Sequence, residues 1–229
     1  MKLHCLLARG VLAVSLAWSA IAPAQTPWTE GRNYFLINPA RPPALPPGKV
    51  EVTEVFSYGC PACNAFLPYM HKLQAEMPAN AVLDYLPASF NPGEDWPMFQ
   101  HAYFTAQVLG VADKTHDAMF DAVWKTGELA ITDPASQRIR DPLPSIEDAA
   151  RFYHRVAGVP VDKFLNTAKS FAVDTKVRTA EDAIVAYRVD RTPTIVVDGR
   201  YRLTAESAGG PEQVIELVKW LVAKESRQH

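Results

Sequence analysis

The sequence predicts an α/β fold whose sheet is interrupted by an all-α insertion. Three observations point there: a β-α-β pattern over residues 49–93, about ninety residues with only helical periodicity, and a return to sheet pattern before a last amphipathic helix.

The first 24 residues stand apart from this plan. Lys2 and Arg9 precede an apolar run, Val11 to Ile21, that is too short to span a bilayer, and Ala22-Pro23-Ala24 offers small residues where a signal peptidase reads. Residues 1–24 are read as a secretory signal peptide cleaved before Gln25, and Cys5 leaves with it. Residues 25–48 lead in to the α/β unit, and from Asn38 to Gly48 five prolines (Pro39, Pro42, Pro43, Pro46 and Pro47) hold the backbone extended and remove ladder donors. This segment is expected to be an approach, with the fold starting after it.

Residues 49–93 form the first part of the α/β unit. Lys49 to Tyr58 is rich in β-formers, with Val50, Val52, Glu54 and Phe56 on one face and Glu51, Thr53, Val55 and Ser57 on the other, which predicts a central strand. Cys60 lies at its end. Asn64 to Met77 carries Phe66, Leu67, Met70, Leu73 and Met77 at helical spacing, with Pro68 expected to kink the helix. Ala81 to Leu86 reads as a second strand.

Residues 94–188 form the helical insertion. Trp96, Phe99, Tyr103 and Ala106 mark one apolar face before Gly110, and Met119, Phe120, Val123 and Trp124 another before Gly127. Ser145 and Asp148 resemble a capping box, and Phe164 to Phe171 and Ala180 to Tyr187 complete the block. Residues 189–229 return to the sheet: Thr194 to Val197 is a strand, and Asp198-Gly199 signals a hairpin into Tyr201 to Thr204. Pro211 then opens a helix striped by Val214, Leu217, Val218 and Leu221.

Composition excludes several classes. Without Lys2 and Arg9 the chain has 21 Lys and Arg against 25 Asp and Glu, an acidic balance that argues against nucleic acid as a partner. After export only Cys60 and Cys63 remain, so sulfur is not used as a general staple. No metal site and no cofactor are expected.

Cys60-Pro61-Ala62-Cys63 carries the chemistry. Two thiols at this spacing close into a ring and reopen by exchange, and a cysteine at a helix N-terminus feels free N–H groups and the positive end of the dipole, both favouring thiolate. Pro61 suits the first helical turn, where a missing N–H costs nothing. Cys63, one turn inside, is expected to be the more buried thiol, leaving Cys60 as nucleophile and Cys63 as resolving thiol. A structural zinc site lacks further ligands, haem attachment needs a histidine where Asn64 stands, and a structural disulfide over four residues would stabilise little. Redox exchange is the reading that fits best. The histidines (His71, His101, His116, His154 and His229) are given no chemistry, and Trp96 and Phe66 are read as core.

The run Glu54-Val55-Phe56-Ser57-Tyr58-Gly59-Cys60-Pro61-Ala62-Cys63 resembles the active-site strand and motif of the DsbA family of periplasmic thiol oxidases. The likeness extends to Thr192-Pro193, its following strand and Asp-Gly turn, and the placement of the insertion. It implies a thioredoxin fold with an inserted helical domain, a cis Pro193 facing the cysteines, and a Thr192 backbone open to a substrate strand. It implies that Glu54 accepts a proton as Cys63 attacks, with Asp84 standing where relatives carry a nearby lysine. It also implies a monomer acting on reduced, unfolded exported polypeptides in the periplasm, reoxidised by a membrane quinone-linked oxidase of the DsbB type. One departure is Ala62, where the usual motif carries histidine, and this suggests a weaker oxidant. A reductase or isomerase, or a noncatalytic peptide-binding chaperone, stay open as alternatives.

Overall fold

A computed structural model describes residues 28–227. The expected signal peptide lies outside the described residues. In chain order the elements are β1 (Phe35–Leu36), β2 (Val50–Phe56), α1 (Pro61–Glu76), β3 (Ala81–Pro87), α2 (Trp96–Val108), α3 (Ala112–Trp124), α4 (Ile146–Ala157), α5 (Val161–Ala168), α6 (Phe171–Ala186), β4 (Thr194–Val197), β5 (Tyr201–Leu203), α7 (Ala205–Ala208) and α8 (Pro211–Glu225). The strands form one mixed sheet in the order β1-β5-β4-β2-β3, with only β2 and β3 parallel. Helices α2 to α6 are inserted between β3 and β4, which gives a thioredoxin fold with a helical insertion.

The period-2 pattern of β2 sets its two environments. Val50 and Val52 pack with Phe66, Met70 and Leu73 of α1 and with the apolar stripe of α8, while Val55 packs with Val196, Ile184 and Tyr187 on the opposite face. Phe56 reaches into a third cluster with Phe99, Tyr103 and Phe120 of the insertion. The end of β2 thus joins the sheet to the helical block. Burying these large side chains contributes about 1.5–3 kcal/mol each, before conformational entropy is counted.

Two elements depart from the sequence expectation. The segment before Gly48 does more than approach the domain: Phe35 and Leu36 pair antiparallel with Arg202 and Tyr201, and Tyr34 and Ile37 are buried. An edge strand bonds on one side only, so nearby prolines do not forbid it. The helical run at Phe164 to Phe171 is also broken, because Ser170 accepts a hydrogen bond from the Val173 N–H and caps a new helix, α6, that continues to Ala186. Helix α1 runs through Pro68 to Glu76. The Asp198-Gly199 hairpin forms as expected, with φ of 53° and 57°.

Candidate active site

Strand β2 ends at Phe56, and Ser57 to Gly59 carry the chain to Cys60, the N-cap of α1. Pro61 takes the first helical position, where its missing N–H leaves no helical bond unmade. Gly59 is required by close approach: a Cβ there would lie 2.6 Å from Trp96 Nε1 and 2.8 Å from Ile131 Cδ1. The insertion therefore presses on the residue before the first cysteine. It also holds that loop from the side, since Trp124 Nε1 donates to the Tyr58 carbonyl at 2.8 Å.

The two cysteines are unbridged. Cys60 is 4% exposed and Cys63 1%. The Cys63 N–H donates to Cys60 Sγ at 3.3 Å, and Cys60 Sγ lies 3.6 Å from the Thr192 carbonyl oxygen. Thr192-Pro193 is cis, as the resemblance implied. The Cys60 thiol is pushed down to about 6, first by a hydrogen bond from the Cys63 thiol and then by Thr192 and the Cys63 and Ala62 N–H groups, against the opposing effect of burial. Cys63 moves the other way: burial raises it well above an ordinary thiol, and its donation to Cys60 and the nearby Glu54 raise it further. The pair is polarised, with the anion placed on the outer sulfur.

Glu54 is 2% exposed, so strand alternation did place a carboxyl inside the protein. Burial first, and then Cys60, push it up to about 8. It is therefore mostly protonated at neutral pH and able to exchange that proton. Its neighbour differs from the expectation. In the parallel register Glu54 stands opposite Tyr85, while Asp84 stands opposite Thr53 and belongs to the other face. No carboxylate of β3 therefore sits beside Glu54. Asp84 is raised by burial and opposed in part by Lys176.

Sequence reasoning missed His116. It is buried in α3, its Nδ1 lies 3.0 Å from Tyr58 Oη, and its ring stacks on Tyr85 at 4.2 Å. Burial pushes it down to about 4, so it is neutral and orders the aromatic cluster under the active-site loop. The signal was its spacing: positions 116, 119, 120 and 123 share one buried face of α3. Trp96 and Phe66 are buried, as read from the sequence. Among the described residues no group of three or more His, Cys, Asp or Glu is arranged to hold a metal ion.

Comparison with known proteins decides the family. The chain is 34% identical to the thiol:disulfide interchange protein DsbA of Pseudomonas aeruginosa over 221 residues, 96% of each chain, and 32% identical to that of Bordetella parapertussis over 204 residues, 89% and 87% of the two chains. This chain belongs to the DsbA family. Solved structures agree: P. aeruginosa DsbA superposes with a TM-score of 0.72 at 34% identity, covering 88% of this chain and 96% of that one. DsbA from Xylella fastidiosa gives 0.72 at 33% identity, over 84% and 94%. No family model matches. As a DsbA-family protein the chain is a thiol:disulfide oxidoreductase, which accounts for a polarised Cys-x-x-Cys pair at a helix N-terminus. Family membership implies protein substrates and a redox partner.

Proposed function

We propose that this DsbA-family protein introduces disulfide bonds into exported polypeptides in the periplasm through Cys60 and Cys63. The observation that carries this reading is the opposite shift of the two thiols, Cys60 down to about 6 and Cys63 well up. In the disulfide form a substrate thiolate attacks Cys60 Sγ. The Cys60–Cys63 bond breaks, its electron pair leaves on Cys63, and the protonated Glu54 supplies the proton that Cys63 needs. A second substrate thiolate then attacks the substrate sulfur of the mixed disulfide, forming the substrate disulfide and expelling Cys60 as a stable thiolate. Two electrons pass from the substrate to the protein.

Thr192 and Pro193 are the proposed substrate-binding residues. The Thr192 backbone flanks Cys60 Sγ and would pair with an extended segment carrying the reacting cysteine. Reoxidation runs the exchange backwards. Cys63 attacks a mixed disulfide on Cys60 and gives its proton to Glu54, and the proposed electron acceptor is a membrane quinone-linked oxidase of the DsbB type. Among the described residues no helix is long and apolar enough to cross a membrane.

The test is disulfide formation in a reduced, unfolded protein under the oxidised chain. We expect stoichiometric oxidation, abolished in Cys60→Ser. Undiminished disulfide formation in that variant would overturn the exchange reading, whereas equal protection of the reduced protein from aggregation by parent and variant, with no disulfide formed, would support a noncatalytic, chaperone-like action.

A further inference from the structure

A second feature sits at the same end of the sheet. Thr194 pairs with Val55, Leu203 with Ile195, and Phe35 with Arg202. The start of β4, the end of β5 and the start of β1 therefore all lie at the end of β2 from which Cys60 emerges. A groove of about 620 Å³ opens there, and Asp190 and Arg191, which directly precede Thr192-Pro193, form part of its wall. Arg32, Phe35, Arg202 and Glu206 form much of the rest. In the sheet register Arg202 shares a face with Val196, the face away from α1 and α8.

The charges in this groove are unevenly matched. Arg191 pairs with Asp190 at 3.1 Å and with Glu206 at 3.5 Å, so both carboxylates of the wall are engaged by one guanidinium. Arg202 is in no ion pair among the described residues. Its guanidinium lies over the Phe35 ring at 5.2 Å, and its Nε is buried with no hydrogen-bond partner. A buried donor left unmade is costly, and a guanidinium that lines a groove with no carboxylate partner is suited to take one. Arg32, at the rim, also has no ion pair among the described residues.

We propose that this groove is a subsite for a carboxylate of the polypeptide substrate, bound by Arg202 and assisted by Arg32. The proposal rests on the reading that substrates lie extended along Thr192. A strand paired there continues past Arg191 and the groove wall, advancing about 3.3 Å per residue. A side chain a few positions from the reacting cysteine then enters the groove. An internal Glu or Asp, or a free C-terminus close to the cysteine, presents the same group.

The test uses the oxidised full chain and reduced single-cysteine peptides bearing Glu or Gln at each position flanking the cysteine on both sides. A further pair ends in a free or an amidated C-terminus. The second-order rate of attack on the Cys60–Cys63 disulfide is followed by stopped flow. At one or more positions we expect the Glu peptide to react roughly fivefold faster than its Gln twin, with the gain shrinking at high salt. The ratio should fall towards one in Arg202→Gln and be retained in Lys163→Gln, a control on the exposed surface of α5. If Arg202→Gln folds poorly, Arg32→Glu reads the same ratio without disturbing the core. Ratios near one in the parent for every pair, the terminal pair included, or ratios unchanged by both arginine substitutions, overturn the subsite. If the terminal pair alone discriminates, the ligand is a C-terminus. Failure of every peptide to react would contradict the exchange reading itself, which is a distinct result.

Discussion

Replacing Glu54 with Gln probes the buried carboxyl directly. The folded protein raises Glu54 from 4.5 to about 8. Between those values the folded state keeps a proton that the unfolded chain releases, so its contribution to stability is complete below pH 4.5 and is lost as pH rises towards 8. At pH 7 the loss comes to about 3 kcal/mol, from the ratio of the two binding polynomials. Gln has the same shape and no charge to suppress. Cys60 acts in the opposite sense, because its lowered value adds stability as pH rises through 6; that contribution is present in both proteins, and its charge enters their difference only through the rise it adds to Glu54. Urea unfolding of the reduced proteins should therefore show the stability of Glu54→Gln relative to the parent growing by about 3 kcal/mol between pH 4 and pH 7. A difference constant across that range would mean that Glu54 ionises normally, and its proposed part in proton transfer would fall.

Three further outcomes follow from the same geometry. Alkylation of Cys60 should rise with pH to a plateau with a midpoint near 6, with Cys63 unreactive; a midpoint near that of a free thiol would refute the polarised pair. Ala62 is exposed in the first turn of α1 and offers the Cys60 thiolate only its N–H. Ala62→His should stabilise the thiolate by about 1.4 kcal/mol and make the couple roughly 30 mV more oxidising against a glutathione buffer, whereas equal potentials would show that Ala62 does not tune the site. Gly59→Ala drives a Cβ into Trp96 and Ile131 and should cost about 2 kcal/mol in denaturant unfolding; a neutral result would mean that the insertion yields easily there.

Much of the site is legible in the sequence because its determinants are local. The alternation of β2 places Glu54 with Val50 and Val52, and a Cys-Pro pair just after a strand marks a helix N-terminus. The missed features depend on register and on tertiary contact. Whether Asp84 or Tyr85 faces Glu54 turns on a one-residue offset between parallel strands, set by the crossover helix α1 and by no residue type. Strand β1 is two residues long in a proline-rich segment, too short to show a period. His116 acts through Tyr58, fifty-eight positions earlier, and only its place on the buried face of α3 hints at it. The break before α6 rests on one capping serine inside an otherwise continuous helical pattern.

The central claim is that Cys60 is the exchanging thiol and Cys63 its buried resolver. Incubating Cys63→Ser and Cys60→Ser with oxidised glutathione at pH 7 and weighing the products by mass spectrometry tests this directly. The account predicts rapid accumulation of a single glutathione adduct on Cys60 in the first variant and almost none in the second. Equal or faster labelling of Cys63 would contradict it.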